Sequence, residues 1–208
     1  MTDFCVWNNL PDAQVQNFLA SDYAHPSRAV MAAEVLRFIA GSTMPVLMAE
    51  VGPAIGRDFG HYYAAGVRAG RLHYTAYEGS WKLASAFKER HPDIPVINGG
   101  FAELPPLGFD IVVSRAVIEH QPTLEPALTQ QLRAARRLCL IGWFIPPGDT
   151  LNVGLHPIEN VHYNRYPQSE VAAAFEKTEM HLEVVSGTWI GSGETPEPYA
   201  VYIGRRQG

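Results

Sequence analysis

The chain has 208 residues, 47% of them apolar and 18% charged, which suits one domain with a sizeable core. A net charge of −5 and an isoelectric point near 5.9 give no basic footprint for a nucleic-acid backbone, and no apolar run reaches membrane-spanning length, so neither nucleic acid nor membrane is an expected partner. Cys5 and Cys139 are too few for a disulfide framework or a thiolate metal site, and no charged-then-apolar leader opens the chain, which points to a reducing, cytoplasmic setting.

In chain order, Val15, Phe18 and Leu19 fall at helical spacing after Pro11-Asp12, a helix start. Residues 26–40 repeat the pattern with Val30, Ala33, Leu36 and Phe38 or Ile39, and Gly41 stands as a stop signal. Residues 1–40 are therefore expected to be largely helical, with 26–40 flanking the sheet. Residues 45–58 read as a buried strand that ends in an acid, Glu50, and feeds a glycine-bearing turn and a helix N-terminus. Gly52 and Gly56 let the backbone take positive φ and approach a ligand closely, and a carboxylate at the strand end can accept hydrogen bonds. The dinucleotide fingerprint G-x-G-x-x-G is not met, because Ala54 stands where its second glycine belongs, and this disfavours a nicotinamide enzyme.

A helix over residues 57–70 carries Phe59, Tyr62, Tyr63 and Val67, and Gly70 ends it. Residues 72–77 form a second strand that stops at Glu78, and Gly79-Ser80 opens a helix to about Arg90. A carboxylate at the end of strand two of a nucleoside-binding α/β fold can accept hydrogen bonds from both ribose hydroxyls. A third strand covers 95–98, and a loop, 99–105, follows. Residues 109–120 open with an apolar fourth strand, followed by Ser114 and a segment ending in Glu119-His120. A helix over 123–137 and a strand over 138–145 come next. The polar and aromatic stretch 148–166 is long for a strand-to-helix connection, which marks it as a place to look for function. A helix over 167–178 and two β-prone runs, 182–185 and 199–203, close the chain as an antiparallel pair.

Two stretches carry a resemblance. The spacing E-x-G-x-x-x-G from Glu50 to Gly56 resembles the first motif of the class I S-adenosylmethionine-dependent methyltransferases, although Pro53 and Ala54 depart from its small residues. The run Phe109-Asp110-Ile111-Val112-Val113-Ser114-Arg115-Ala116-Val117-Ile118-Glu119-His120 closely resembles the fourth-strand motif of the small-molecule members, of methyltransferase type 11-like character. The likeness covers residues 45–147. It implies a single methyltransferase domain over 1–208, with 1–40 as an N-terminal helical cover that brings Tyr23 and His25 within reach of the site and 148–166 as a substrate-side insertion. The implied architecture is a Rossmann-like three-layer α/β sandwich, its seven-stranded, mostly parallel sheet in the order 3-2-1-4-5-7-6 with the last strand antiparallel. The implied cofactor is S-adenosylmethionine. It would be held by Glu50, Gly52, Ala54, Gly56, Glu78, Gly79, Gly100, Phe101, Ala102, Ser114 and Arg115. The acid that usually meets the adenine amino group is missing, so either Phe101 and backbone groups stand in its place or Phe101 is ordinary core.

The implied partner is a small-molecule acceptor methylated on oxygen or nitrogen, by an in-line displacement whose barrier falls mainly through alignment. His120, whose imidazole can titrate near neutrality, is the first candidate for a base, with His156, His162 and Tyr163 from the long loop beside it. His156, Glu159 and His162 match no tight metal motif, and no metal is expected. A catalytically inactive S-adenosylmethionine-binding interaction protein and a nucleotide-binding oxidoreductase are the alternatives. The sequence leaves the oligomeric state open.

Overall fold

The computed structural model describes residues 25–155, 161–190 and 196–207. Its centre is a seven-stranded sheet of β1 (Val46–Val51), β2 (Leu72–Glu78), β3 (Val96–Asn98), β4 (Phe109–Arg115), β5 (Ala135–Trp143), β6 (His181–Trp189) and β7 (Glu197–Arg205). The order is β3-β2-β1-β4-β5-β7-β6, as expected; strands β1 to β5 pair in parallel and β7 runs antiparallel to both β5 and β6. The order reverses at β1, between β2 and β4, and in an open parallel sheet that crevice beyond the carboxyl ends of the strands is where ligands gather.

Among the described residues five α-helices cover the faces: α1 (Pro26–Gly41), α2 (Phe59–Tyr62), α3 (Trp81–Arg90), α4 (Ala127–Ala134) and α5 (Gln168–Lys177). Successive strand residues point to opposite faces, so each strand feeds two cores. Val46 and Met48 of β1, Leu72 and Tyr74 of β2, and Ile111 and Val113 of β4 pack with Met31, Val35 and Ile39 of α1, Phe59 and Tyr62 of α2 and Phe87 of α3. Val51, Val112, Cys139 and Ile141 pack on the other face with Leu128 and Leu132 of α4 and Val171 and Phe175 of α5. Burial of such side chains at roughly 25 cal/mol per Å² of apolar surface is the main stabilising contribution to this fold.

The expected helix over 57–70 is shorter and looser. One α-turn, α2, widens over Tyr63–Val67 into bonds that span five residues, Arg68 N–H to Tyr63 C=O at 2.8 Å and Arg71 N–H to Gly66 C=O at 2.9 Å. The expected helix over 123–137 is α4 alone, because Ala135, Arg136 and Arg137 already belong to β5. Arg136 is drawn there by the carbonyls of Leu107 and Gly108 and by the Asp110 carboxylate, and Arg137 lies over the Phe38 ring at 5.0 Å. The last two strands extend beyond the apolar runs that mark them in the sequence. The helix expected before residue 24 lies outside the described residues. No helix among the described residues is long and apolar enough to cross a membrane.

Candidate functional site

A cavity of about 320 Å³ opens beyond the carboxyl ends of β1, β2 and β4. Its size is that of a small-molecule site. The loop after β1 forms one wall through Gly52, Pro53, Ala54 and Ile55, and the tip of β2 adds Glu78 and Gly79. Leu83 and Gly100 line the same space, as do Arg115, Ala116, Val117, His120 and Gln121 after β4. Arg28, Arg57, Asp58, Phe144 and Tyr163 complete the lining.

The β1 loop is built on left-handed residues: φ is +67° at Gly52, +51° at Ala54 and +81° at Gly56. Only glycine fits at the first, since a Cβ there would come within 2.6 Å of Val117 Cγ2. Ala54 holds a conformation that costs a non-glycine residue about 1–2 kcal/mol, and a hydrogen bond from its N–H to Glu78 Oε2 at 2.9 Å offsets that strain. The Glu78 carboxylate also accepts from Ser80 N–H at Oε1, 2.9 Å, and from the Gly79 N–H. Its pKa is nonetheless pushed up to about 7, because burial outweighs these three donors.

Strand alternation decides which predicted residues reach the cavity. Gly52, Ala54, Glu78, Gly79, Gly100, Arg115, His120 and Tyr163 line it; Glu50, Gly56, Phe101, Ala102, Ser114 and His162 do not. Glu50 shares the α1-side face of β1 with Val46 and Met48, and there the Tyr74 hydroxyl donates to it at 2.5 Å. Burial first, and then the neighbouring Asp58 charge, raises its pKa to about 8. The expectation of two carboxylates facing one cavity is thus corrected at Glu50, which is a buried core acid. Gly56 is turned towards Phe87 of α3 and His91 just after it, where it permits close packing. Phe101 sits under α4 in the core with Leu104, so it offers no face to a ligand, and Ala102 is exposed outside the cavity. Ser114 points to the α4 face, where its hydroxyl donates to Gln131 Oε1 at 2.8 Å. Its neighbour Arg115 points the opposite way, into the cavity. His156 and Glu159 lie outside the described residues. Among the described residues no group of three His, Cys, Asp or Glu side chains converges to hold a metal ion.

His120 ends a short 3₁₀ turn, Ile118–His120. Its Nδ1 lies 2.6 Å from the carbonyl oxygen of His162. A carbonyl only accepts, so Nδ1 carries the hydrogen and a neutral ring keeps its lone pair on Nε2. The Tyr163 ring meets the imidazole edge-on at 4.9 Å. The long loop carrying Tyr163 is fixed by Asn164, which is fully buried. Asn164 Nδ2 donates to the Gln121 carbonyl at 2.7 Å, and its Oδ1 accepts from Gly154 N–H at 3.2 Å. Tyr166 Oη donates to the same Gln121 carbonyl at 2.6 Å. Nearby, Glu119 Oε1 accepts from Phe144 N–H at 2.8 Å and so holds the end of β5 against the loop after β4.

Sequence reasoning did not single out Arg28, Asp58, Gln121, Phe144 or Asn164 for the site. Asp58 forms an ion pair with Arg28 at 2.8 Å and accepts from Arg115 Nε at 2.7 Å. The only signal in the chain was an acid closing the 45–58 stretch. His25, expected near the site, caps α1 with its Nδ1 on Ser27 and packs edge-on against Trp189 and Tyr199, one layer behind the cavity-lining Phe144.

No protein-family model and no curated protein sequence matches the chain. Solved structures do. The 1,6-didemethyltoxoflavin-N1-methyltransferase of Burkholderia thailandensis, crystallised with 1,6-didemethyltoxoflavin and S-adenosylhomocysteine, is 14% identical and aligns over 94% of this chain and 88% of its own, with a TM-score of 0.65. The magnesium protoporphyrin IX methyltransferase of Synechocystis, with bound S-adenosylhomocysteine, is 12% identical and aligns over 98% and 97% with a TM-score of 0.67. The strand order, the antiparallel β7 and these alignments agree: the chain has the fold of the class I S-adenosylmethionine-dependent methyltransferases.

Proposed function

We propose that the protein is an enzyme that transfers a methyl group from S-adenosylmethionine to an oxygen or nitrogen of a small molecule. The observation that carries this reading is the Glu78 carboxylate at the tip of β2, facing a cavity that it walls together with the left-handed loop after β1. The donor set fits the cofactor. Glu78 offers a carboxylate to ribose hydroxyls, Leu83 and Val117 offer apolar surface to a base, and Gly52 and Gly100 let backbone approach closely. Pro53 and Ala54 form wall without closing the space.

When bound, S-adenosylmethionine supplies an electrophilic methyl carbon on a sulfonium. The protein's part is then positioning, worth effective molarities of about 10⁵ M or more where reacting atoms are well aligned. Glu78 and the β1 loop hold the cofactor. Gln121, Phe144 and Tyr163 shape the adjoining wall for an acceptor, and Nε2 of His120 takes the acceptor's proton as its nucleophilic atom attacks. The Asn164 anchor keeps Tyr163 and His120 together while this happens. We place the enzyme in the cytoplasm on its two cysteines alone.

Two experiments test the reading. Calorimetric titration should show binding of S-adenosylhomocysteine and none of NAD or NADP. Incubation with methyl-labelled S-adenosylmethionine and a metabolite extract should then transfer label to a small molecule. Binding without transfer would leave a cofactor-binding protein, and preference for NAD would return the assignment to an oxidoreductase.

A further inference from the structure

Two large rings stand open to the cavity on the side left to an acceptor. Phe144, just past β5, lines it with 36% of its surface exposed, and Tyr163 of the long loop lines it half-buried. Apolar surface is costly to leave in water, so rings held open in a concave site mark a place that a ligand covers.

Both rings are held by what stands behind them. The fully buried Glu119 accepts at Oε1 from the N–H groups of Phe144 and Ile145, at 2.8 and 3.4 Å. Its backbone carbonyl accepts from the N–H of Asn164 at 2.9 Å, next to Tyr163. One residue thus ties the two ring-bearing segments together. Behind Phe144 stands His25, with ring centres 6.2 Å apart, and against His25 stand Trp189 and Tyr199, edge-on at 5.1 and 5.7 Å. The His25 ring is fixed by Ser27 at 2.6 Å and kept uncharged by burial and by Arg115 and Arg28, which lower its pKa to about 4. Rings fixed in this way offer preset faces and edges, which favour a rigid, flat partner over a flexible chain.

Charge narrows the class further. Three guanidiniums, of Arg28, Arg57 and Arg115, line the cavity against the carboxylates of Asp58 and Glu78, and Glu78 has its pKa near 7. An ammonium group, which aromatic rings also attract, is therefore disfavoured there. Acidity points the same way. An aromatic hydroxyl has a pKa of about 10, within reach of an imidazole base of about 6.5, and aliphatic hydroxyls are far weaker acids.

We propose that Phe144 and Tyr163 form an aromatic clamp for the acceptor, and that the acceptor is a flat aromatic molecule whose ring carries the reacting hydroxyl or N–H. This clamp deepens the methyltransferase reading and rests on it. The hydroxyl oxygen or ring nitrogen forms its bond to the methyl carbon as the carbon–sulfur bond breaks. The electron pair of that bond goes to sulfur, and the acceptor's proton passes to Nε2 of His120 and on to solvent.

The test uses the full chain saturated with S-adenosylhomocysteine and three probes: naphthol, its non-aromatic counterpart decahydronaphthol, and naphthylmethylamine, which adds an ammonium to the same ring. By calorimetry the wild type should bind naphthol about tenfold more tightly than decahydronaphthol, the worth of two ring contacts, and more tightly than naphthylmethylamine. Phe144→Leu and Tyr163→Leu keep apolar bulk and lose the ring. Each should weaken naphthol by about fivefold and decahydronaphthol by less than about twofold, with S-adenosylhomocysteine held within about twofold. Tyr163→Phe should restore naphthol binding. Should one leucine variant fail to fold, the other decides. Equal affinity of the wild type for naphthol and decahydronaphthol, tighter binding of the amine, or equal loss of naphthol and decahydronaphthol in the variants overturns the clamp. In the labelling experiment the product should be methylated on an aromatic hydroxyl or ring nitrogen, and an aliphatic product overturns the acceptor class. If the wild type binds no S-adenosylhomocysteine, the methyltransferase reading falls, and naphthol against decahydronaphthol on the ligand-free chain still decides the clamp.

Discussion

Glu78 accepts a hydrogen bond of 2.9 Å from the N–H of Ala54, joining the tip of β2 to the left-handed turn that follows β1. One carboxylate therefore shapes the cavity wall and faces the cavity. Glu78→Gln presents an amide N–H₂ to donors at Ala54, Ser80 and Gly79, so the wall loosens while the ribose acceptor weakens. The dissociation constant for S-adenosylhomocysteine should rise tenfold or more by calorimetry. The ionised carboxylate is the better acceptor, and its pKa lies near 7. Wild-type affinity should accordingly fall by roughly five- to tenfold between pH 8 and pH 6, and Glu78→Gln should show a flat profile. Unchanged affinity in the variant would remove Glu78 from the cofactor site.

Glu50 gives a separate prediction about stability. Its folded pKa, about 8, lies above the ordinary value of 4.5, so the folded state holds a proton that the unfolded chain releases. That contribution is fully present below pH 4.5 and is lost as pH rises through 8. His25 acts in the opposite sense, since its depressed pKa destabilises the fold as pH falls from 6.5 towards 4. Glu78 has the same sign as Glu50 and is half-titrated at about pH 7, but it is common to the wild type and a Glu50 variant, so over pH 7 to 8.5 the difference between the two isolates Glu50. Glu50→Gln keeps an acceptor for the Tyr74 hydroxyl and removes the ionisation. Its melting temperature should decline less over that interval and exceed the wild type's at pH 8.5 by at least about 2 °C. An equal decline, with the variant melting below the wild type throughout, would show that Glu50 is charged and paired.

The frame of this site was legible in the sequence because it is carried by local signals. Apolar runs that end in Glu50, Glu78 and Ser114, each followed by a glycine- or alanine-bearing turn, locate the strand tips, and the tips locate the cavity. Side-chain facing was not legible at the ends of those strands. One step along β4 separates Ser114, bonded to Gln131 under α4, from Arg115 in the cavity, and a resemblance read by motif does not fix that step. Phe101 was open to either reading, a face for adenine or core, for a related reason: only the short turn after Gly100 decides it, and that turn rolls the ring into the core beneath α4. Asn164 and Gln121 are 43 residues apart, and only tertiary packing shows that the long loop is pinned there.

That pin is open to test. Asn164→Leu leaves the Gln121 carbonyl with one donor fewer and the Gly154 N–H without its acceptor. Losing buried partners of this kind costs about 1–3 kcal/mol. The melting temperature should drop by several degrees, and Tyr166→Phe, which deletes one bond to the same carbonyl, should lower it less. Because Asn164 reaches the cavity only through the loop, affinity for S-adenosylhomocysteine should stay within about threefold while turnover falls. Equal loss of affinity and turnover would mean that the loop supports the cofactor wall itself.

His120 is the residue on which the chemical step depends in this reading. Its Nδ1 hydrogen is committed to the His162 carbonyl, which keeps the basic nitrogen at Nε2 whenever the ring is neutral. The edge-on Tyr163 ring restrains the imidazole plane. His120→Asn retains a polar side chain of related shape but cannot take a proton near neutrality. With the acceptor found in the labelling experiment, kcat should fall about 10²- to 10⁴-fold, affinity for S-adenosylhomocysteine should hold within about threefold, and the limb of the pH-rate profile set by the base should vanish. Tyr163→Phe keeps the ring and should cost less than about tenfold. If His120→Asn retained full turnover with its limb intact, His120 would be a loop-orienting group, and the proton would have to leave the acceptor before attack or pass directly to solvent.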